Sequence, residues 1–247
     1  CMIVLKSSIG GSKRIDEKLG DWDLVTQYDR MIEDIIVGKL KREFPDHRFI
    51  GEESTGKNLP ELTNDPTWMI DPIDGTMNFI HGFPHTCVVI GLSINKEMRI
   101  GIVYNPILEQ LFTARKGRGA FLNGRPITTS KVQGSLMGEK IIIIVFTFLR
   151  AIRTLGVAAI TLCYVALGVV EGYHIEGPGI STWDIAAASL IITEAGGVST
   201  VTSVYRFAGK KVDLMKPRAI GACNEKIASE LVRIIGEADR RVELQGN

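Results

Sequence analysis

The stretch Asp71-Pro72-Ile73-Asp74-Gly75-Thr76-Met77-Asn78-Phe79 offers two carboxylates, a backbone carbonyl and a threonine hydroxyl from one tight turn. Hard cations take oxygen ligands of this kind. Pro72 stiffens the turn, so Asp71 and Asp74 can face one point and Asp71 can bridge two ions. Beyond them, the N–H groups of Gly75, Thr76 and Met77 open a helix, where the dipole and unpaired donors favour phosphate. Two further acidic turns belong with this stretch. Glu52-Glu53 follows a short strand through Gly51, and Trp183-Asp184 opens an Ala-rich helix just after Gly177-Pro178-Gly179. Each carboxylate also has a plainer reading, with Asp71 or Asp74 as a helix cap and Asp184 as an N-cap. Spacing alone leaves both readings open.

These residues need elements to hold them. Between Leu24 and Phe44, Val25, Met31, Ile32, Ile35, Ile36, Leu40 and Phe44 recur mostly at three- and four-residue steps, which predicts an amphipathic helix with Thr26 as N-cap and Pro45 as its stop. His47–Ile50 reads as a short strand running into Gly51. Trp68-Met69-Ile70 reads as a strand that stops at Asp71-Pro72, since proline cannot donate to a sheet ladder. Cys87–Ile94, Ile100–Tyr104, Gln110–Ala114 and Gly119–Leu122 read as an antiparallel meander, and Asn123-Gly124 as a tight hairpin turn. Val157–Gly168 and Thr182–Ala195 read as helices, the second closed by Gly196-Gly197. The apolar run from Ile141 to Leu149 is far short of the ~20 residues of a membrane helix and reads as a buried strand. Strands and helices therefore mix throughout, in an α/β unit.

The 247 residues carry 29 Lys and Arg against 28 Asp and Glu, so no net field draws nucleic acid or an anionic membrane. Arg115-Lys116-Gly117-Arg118-Gly119 lacks interleaved aromatics and reads as a solvated hairpin turn. His81 and His85 flank Gly82-Phe83-Pro84 without a His or Cys at metal spacing, and read as loop histidines. Cys1, Cys87, Cys163 and Cys223 show no CxxC spacing, which fits a reducing, cytoplasmic compartment. A small molecule is the expected partner.

Four pieces occur in a telling order: Asp23-Leu24-Val25-Thr26 with Asp29; Gly51-Glu52-Glu53-Ser54; Trp68 through Phe79; and Trp183-Asp184-Ile185-Ala186 followed by Glu194-Ala195-Gly196-Gly197. By them the chain resembles the inositol monophosphatase family of sugar phosphatases, and from Trp68 to Leu92 the animal members in particular. The resemblance implies a layered αβαβα sandwich of the sugar-phosphatase type. It implies one domain over 1–247, with subdomains of roughly 1–130 and 131–247 meeting at a metal cleft, and a homodimer. One Mg2+ would sit on Glu52, Asp71 and the Ile73 carbonyl, and a second on Asp71, Asp74 and Asp184. A third, weaker ion would be held largely by water and Glu52. Glu52 and Thr76 would position the attacking water, with Asp74 also catalytic. The substrate would meet Ile73, Asp74, Gly75, Thr76, Gly156, Val157, Ala158, Glu176 and Asp184. The implied reaction is Mg2+-dependent, Li+-sensitive hydrolysis of inositol monophosphate to inositol and phosphate. Another sugar phosphate, a 3′-phosphonucleotide, or a catalytically impaired relative with a binding role are the alternatives.

The match departs from the family in several places. The family's long N-terminal helix is absent or reduced to Cys1 through Lys13, which implies an N-terminally truncated chain with some core packing uncovered. The segment from Ser130 to Ala151 is shorter than in the family, and Ile141 to Phe146 is expected to be an apolar run without a partner strand. Met77 replaces a second threonine. Val157 replaces a small hydroxyl residue, which would lower the polarity of the pocket. Gly177-Pro178-Gly179 carries one residue more than in animal relatives, which affects the reach of Glu176.

Overall fold

The computed structural model of the chain describes residues 2–8, 15–17, 24–55, 59–132, 142–143, 153–176, 180–200 and 218–245. In chain order these form α1 (Met2–Ser8), β1 (Ile15–Glu17), β2 (Leu24–Thr26), α2 (Gln27–Glu43), β3 (Arg48–Gly51), α3 (Glu52–Thr55), β4 (Thr67–Asp74) and α4 (Thr76–Ile80). The meander follows as β5 (Cys87–Ile94), β6 (Glu97–Asn105), β7 (Gln110–Arg115), β8 (Ala120–Leu122) and β9 (Arg125–Ile127). The remainder is β10 (Ile142–Ile143), α5 (Ala158–Ala166), β11 (Gly172–Glu176), α6 (Thr182–Glu194), β12 (Val198–Thr200), β13 (Arg218–Ala222) and α7 (Glu225–Gln245).

A seven-stranded sheet runs β3-β4-β5-β6-β7-β8-β9, and a four-stranded sheet runs β10-β11-β13-β12. Helices α5 and α6 pack between the two sheets, α2 lies on the outer face of the first, and α7 on the outer face of the second. The order is α, β, α, β, α, the sandwich that the family resemblance implies. Alternation along the strands divides the core. Val88, Ile90 and Leu92 of β5 face α2 together with Trp68 and Ile70 of β4, while Cys87 and Val89 face α5 and α6 with Met69. Strands covered on both faces read as near-continuous apolar runs, as Cys87–Ile94 does. Helix α6 is buried from Thr182 to Ile192, and its alanines let it approach the sheet closely. A Cβ on Gly101 would stand 2.4 Å from the Ala187 carbonyl oxygen, so the contact needs glycine there.

Several expectations change in detail. Helix α2 begins at Gln27 with Thr26 as its N-cap, as expected, closed by a capping box with Asp29, while Leu24–Thr26 pairs with β1 as a short strand. Asn123 and Gly124 both take left-handed φ, 50° and 77°, as the tight hairpin requires. The Arg115–Gly119 turn is not simply solvated. The Glu194 carboxylate at the end of α6 accepts N–H bonds from Gly117 (2.8 Å), Arg118 (3.1 Å) and Gly119 (2.8 Å). Ile142 and Ile143 do have a partner strand, pairing in parallel with Gly172 and Tyr173; residues 144–149 of that apolar run lie outside the described residues.

Part of the outer layer is covered by α1. Leu5 of α1 is fully buried in the cluster formed by Ile32, Ile36, Trp68 and Ile70, and Lys6 pairs with Glu109 beyond it. Replacing Leu5 by Ala is expected to cost about 2–5 kcal/mol of unfolding free energy, in the range for truncated core leucines. A denaturant titration measures it, and a loss below ~1 kcal/mol would mean that α1 contributes little.

Candidate active site

On a regular strand, Asp71 and Asp74 would point to opposite faces, being an odd number of residues apart. In β4 they do not, because the pairing with β5 shifts between them: Asp71 pairs with Val89 and Asp74 with Cys87. Three steps on β4 thus match two on β5, a bulge that turns Asp74 to the face of Asp71. The expected stop at Asp71-Pro72 is therefore a bulge, and β4 continues to Asp74. Pro72, which cannot serve a ladder, falls within it. Asp71 closes a local turn by accepting the Ile73 N–H at 2.9 Å. Gly75 follows with φ of 85°, a left-handed conformation that opens α4 without a side-chain cap.

The face reached by both carboxylates is the one against α6. There Asp184 completes a buried cluster in which one carboxylate oxygen each of Asp71, Asp74 and Asp184 lies within 4.8 Å of the others. Asp184 is the third residue of α6, held by a capping box with Ser181, so the N-cap is Ser181 and not Asp184 itself. Asp74 takes on a second task. Val157, the N-cap of α5, has no side chain able to cap it, and the Asp74 carboxylate accepts the N–H groups of Ala158 (3.4 Å) and Ala159 (2.7 Å) instead. The Cys87 thiol lies 3.8 Å from the same carboxylate. Asp74 therefore caps α5 while standing in the carboxylate cluster.

Burial pushes the Asp71 carboxyl well above the ordinary carboxylate range, with the charges of Glu52, Asp184 and Asp74 adding to it. Burial likewise raises Asp74 to about 7, against the lowering effect of the Ala159 and Ala158 N–H groups. Asp184 is raised by burial and then by the charges of Asp74 and Glu52, opposed by its bonds to Asp71 and the Ser181 N–H. Among the described residues no Lys or Arg is paired with any of the three. Clustered buried carboxylates without a counter-charge must either hold protons or hold a cation. The all-oxygen donor set, with no imidazole or thiolate in the cluster, fits a hard divalent ion.

Several of the remaining expected residues stand near this cluster. Glu52 opens α3 at the end of β3, next to β4, and its charge acts on all three aspartates. The Thr76 hydroxyl is 3.0 Å from the Ile73 carbonyl and 3.3 Å from Asp29 Oδ1. The Asp29 contact was not anticipated from sequence, where Asp29 stood only as part of a motif. Its signal was the capping-box spacing, which explains one carboxylate oxygen but not the other. Asn78 was missed as well. Its amide donates to the carbonyls of His85 (2.8 Å) and Leu155 (2.7 Å), tying α4 to the Leu155-Gly156 turn before α5. His81 is exposed and His85 half-buried, and neither joins the cluster. Val157 is buried, and a Cβ on Gly75 would stand 2.6 Å from its Cγ2, so its side chain packs on that turn. Glu176 closes β11, pairing with Arg218; its side chain lies outside the described residues, as do Asp23 and Gly177-Pro178-Gly179.

Known proteins resemble this chain over most of its length. The model of the Inositol monophosphatase family matches residues 1–240. Inositol monophosphatase 1 of Solanum lycopersicum is 37% identical over 251 residues, covering 94% of this chain and 89% of its own. Inositol monophosphatase 1 of Bos taurus is also 37% identical, over 252 residues, covering 94% and 88%, so the likeness extends to plant relatives as much as to animal ones. The solved Thermotoga maritima IMPase superposes with a TM-score of 0.83 at 30% identity, covering 98% of this chain and 94% of that one. With most of its length matched by the family model and by these relatives, the chain belongs to the inositol monophosphatase family of phosphoric monoester hydrolases.

Proposed function

We infer that the chain hydrolyses inositol monophosphate with Mg2+ as its metal. The observation that carries this reading is the buried cluster of Asp71, Asp74 and Asp184, lacking any counter-charge among the described residues, beside Glu52 and the uncapped start of α4. Asp71, Asp74, Asp184, Glu52 and the Ile73 carbonyl would hold the ions. When bound, Mg2+ supplies charge neutralisation for the phosphoryl oxygens and a more acidic water.

The chain's own groups do the rest. Thr76 has one hydroxyl proton for two acceptors, and when the Ile73 carbonyl is otherwise engaged, Asp29 is the acceptor that remains. Thr76 Oγ1 is then left to accept a hydrogen bond from the attacking water and to turn its lone pair toward phosphorus, with Glu52 on the other side. The water oxygen bonds to phosphorus and gives up a proton to solvent, the P–O bond to the sugar breaks, and the leaving oxygen takes a proton from solvent. Gly75 and Thr76 seat the phosphate. Asp74, Asp184, Gly156, Val157, Ala158 and Glu176 meet the sugar hydroxyls. The presence of every expected metal ligand in the sequence supports an active enzyme over a binding relative.

Phosphate release from inositol monophosphate, other sugar phosphates and a 3′-phosphonucleotide, with and without Mg2+, tests the reading. The expected result is Mg2+-dependent release, fastest from inositol monophosphate and inhibited by Li+, which matches Mg2+ in size with half its charge. Release without Mg2+, or preference for the nucleotide, overturns it. The buried free thiols Cys87, Cys163 and Cys223 support a reducing, cytoplasmic setting. No described helix is long and apolar enough to cross a membrane. The homodimer rests on the family resemblance, and sedimentation decides it.

A further inference from the structure

Glu33 of α2 is 2% exposed and has no ion pair among the described residues. A buried carboxylate must be compensated by hydrogen bonds if not by a cation. Both oxygens of Glu33 are used in that way, and on backbone: Oε2 accepts the Glu53 N–H at 2.8 Å and Oε1 the Ser54 N–H at 2.9 Å. These two donors belong to α3, a single turn of four residues that opens with Glu52. One turn of helix does not hold itself together, because nucleation fixes several dihedrals for one hydrogen bond. Glu33 supplies the missing restraint from outside. Gly51 shows how closely it does so, since a Cβ there would stand 2.5 Å from both Cδ and Oε1 of Glu33. The carboxylate therefore presses on the backbone immediately before Glu52.

We propose that Glu33 is a positioning residue for Glu52: it sets where the Glu52 carboxylate stands relative to Asp71, and through that the affinity of the site for Mg2+. The inference rests on the reading of Glu52 as a metal ligand. Partners one step removed from a ligand commonly change metal affinity or activity by about 10–100-fold when lost. Glu33→Gln keeps the volume but replaces one acceptor with an amide that faces an N–H group.

Direct Mg2+ titration of the metal-free protein by calorimetry is the readout, with steady-state kinetics beside it. Glu33→Gln is expected to weaken Mg2+ binding about tenfold and to raise the Mg2+ needed for half-maximal rate, with KM for the phosphate ester changed less than about twofold. Gly51→Ala, which pushes the carboxylate off the same contact without removing it, is expected to act in the same direction. In a Glu52→Gln background, Glu33→Gln is expected to add nothing to the loss, because both act through one ligand. Unchanged Mg2+ affinity in folded Glu33→Gln or Gly51→Ala protein, or full additivity with Glu52→Gln, overturns the proposal. If Glu52→Gln alone leaves Mg2+ binding intact, the reading of Glu52 itself fails and the proposal falls with it.

Discussion

Asp74→Asn is expected to lower turnover by at least about 100-fold at saturating Mg2+, since it removes an ionic oxygen from the proposed metal site, and even outer partners of metal ligands matter by about 10–100-fold. The fold should survive. The asparagine side-chain oxygen can still accept the Ala159 N–H, the shorter of the two bonds by which Asp74 caps α5. A neutral amide is also easier to bury than a carboxylate whose pKa stands at about 7 because of burial. Without metal, then, the variant is expected to melt no lower than the parent, and its melting temperature to respond less to added Mg2+. Retained turnover would sink the assignment of Asp74. A collapsed melting temperature would mean that its capping of α5 outweighs its charge.

The second large effect joins pH to metal. Asp74 rises from 3.8 to about 7 on folding, and Asp71 and Asp184 are raised in the same direction. Between the unfolded and folded values the native state holds more protons than the unfolded chain, so stability falls as pH rises through that window. The metal-free protein is therefore expected to gain stability from Asp74 below pH ~4 and to have lost that gain above ~7, with Asp71 and Asp184 acting in the same direction. Mg2+ works the other way, because it needs the ionised carboxylates and releases their protons as it binds. At pH 8, Mg2+ at about 100 times its dissociation constant contributes ~2.7 kcal/mol, roughly 5–10 °C in melting temperature for a chain of this size. At pH 5 the same addition should do little. Equal Mg2+ shifts at the two pH values, followed by calorimetry, would show that these carboxylates do not hold the ion.

Local chemistry, which sequence carries, decided much of this protein. The oxygen-rich turn at Asp71–Thr76, the acidic turns at Glu52 and Asp184, the Thr26 cap and the Asn123-Gly124 hairpin each depend on neighbours a few residues away. The periodicities of α2 and β5 likewise record which faces must leave water. Other features come from pairings distant in sequence, which no local pattern encodes. That Asp71 and Asp74 share a face depends on a register shift against β5, which needs both strands. That Asp74 caps α5 follows from Val157 failing to do so some eighty residues later. Asp29 and Glu33 look like ordinary helix-surface acids until α2 docks on the first sheet. That docking buries both, bringing one to Thr76 and the other to the Glu52 turn. Side-chain identity set which chemistry was possible, and burial with strand register set which groups meet, because carboxylates gather without water only where packing forces them together.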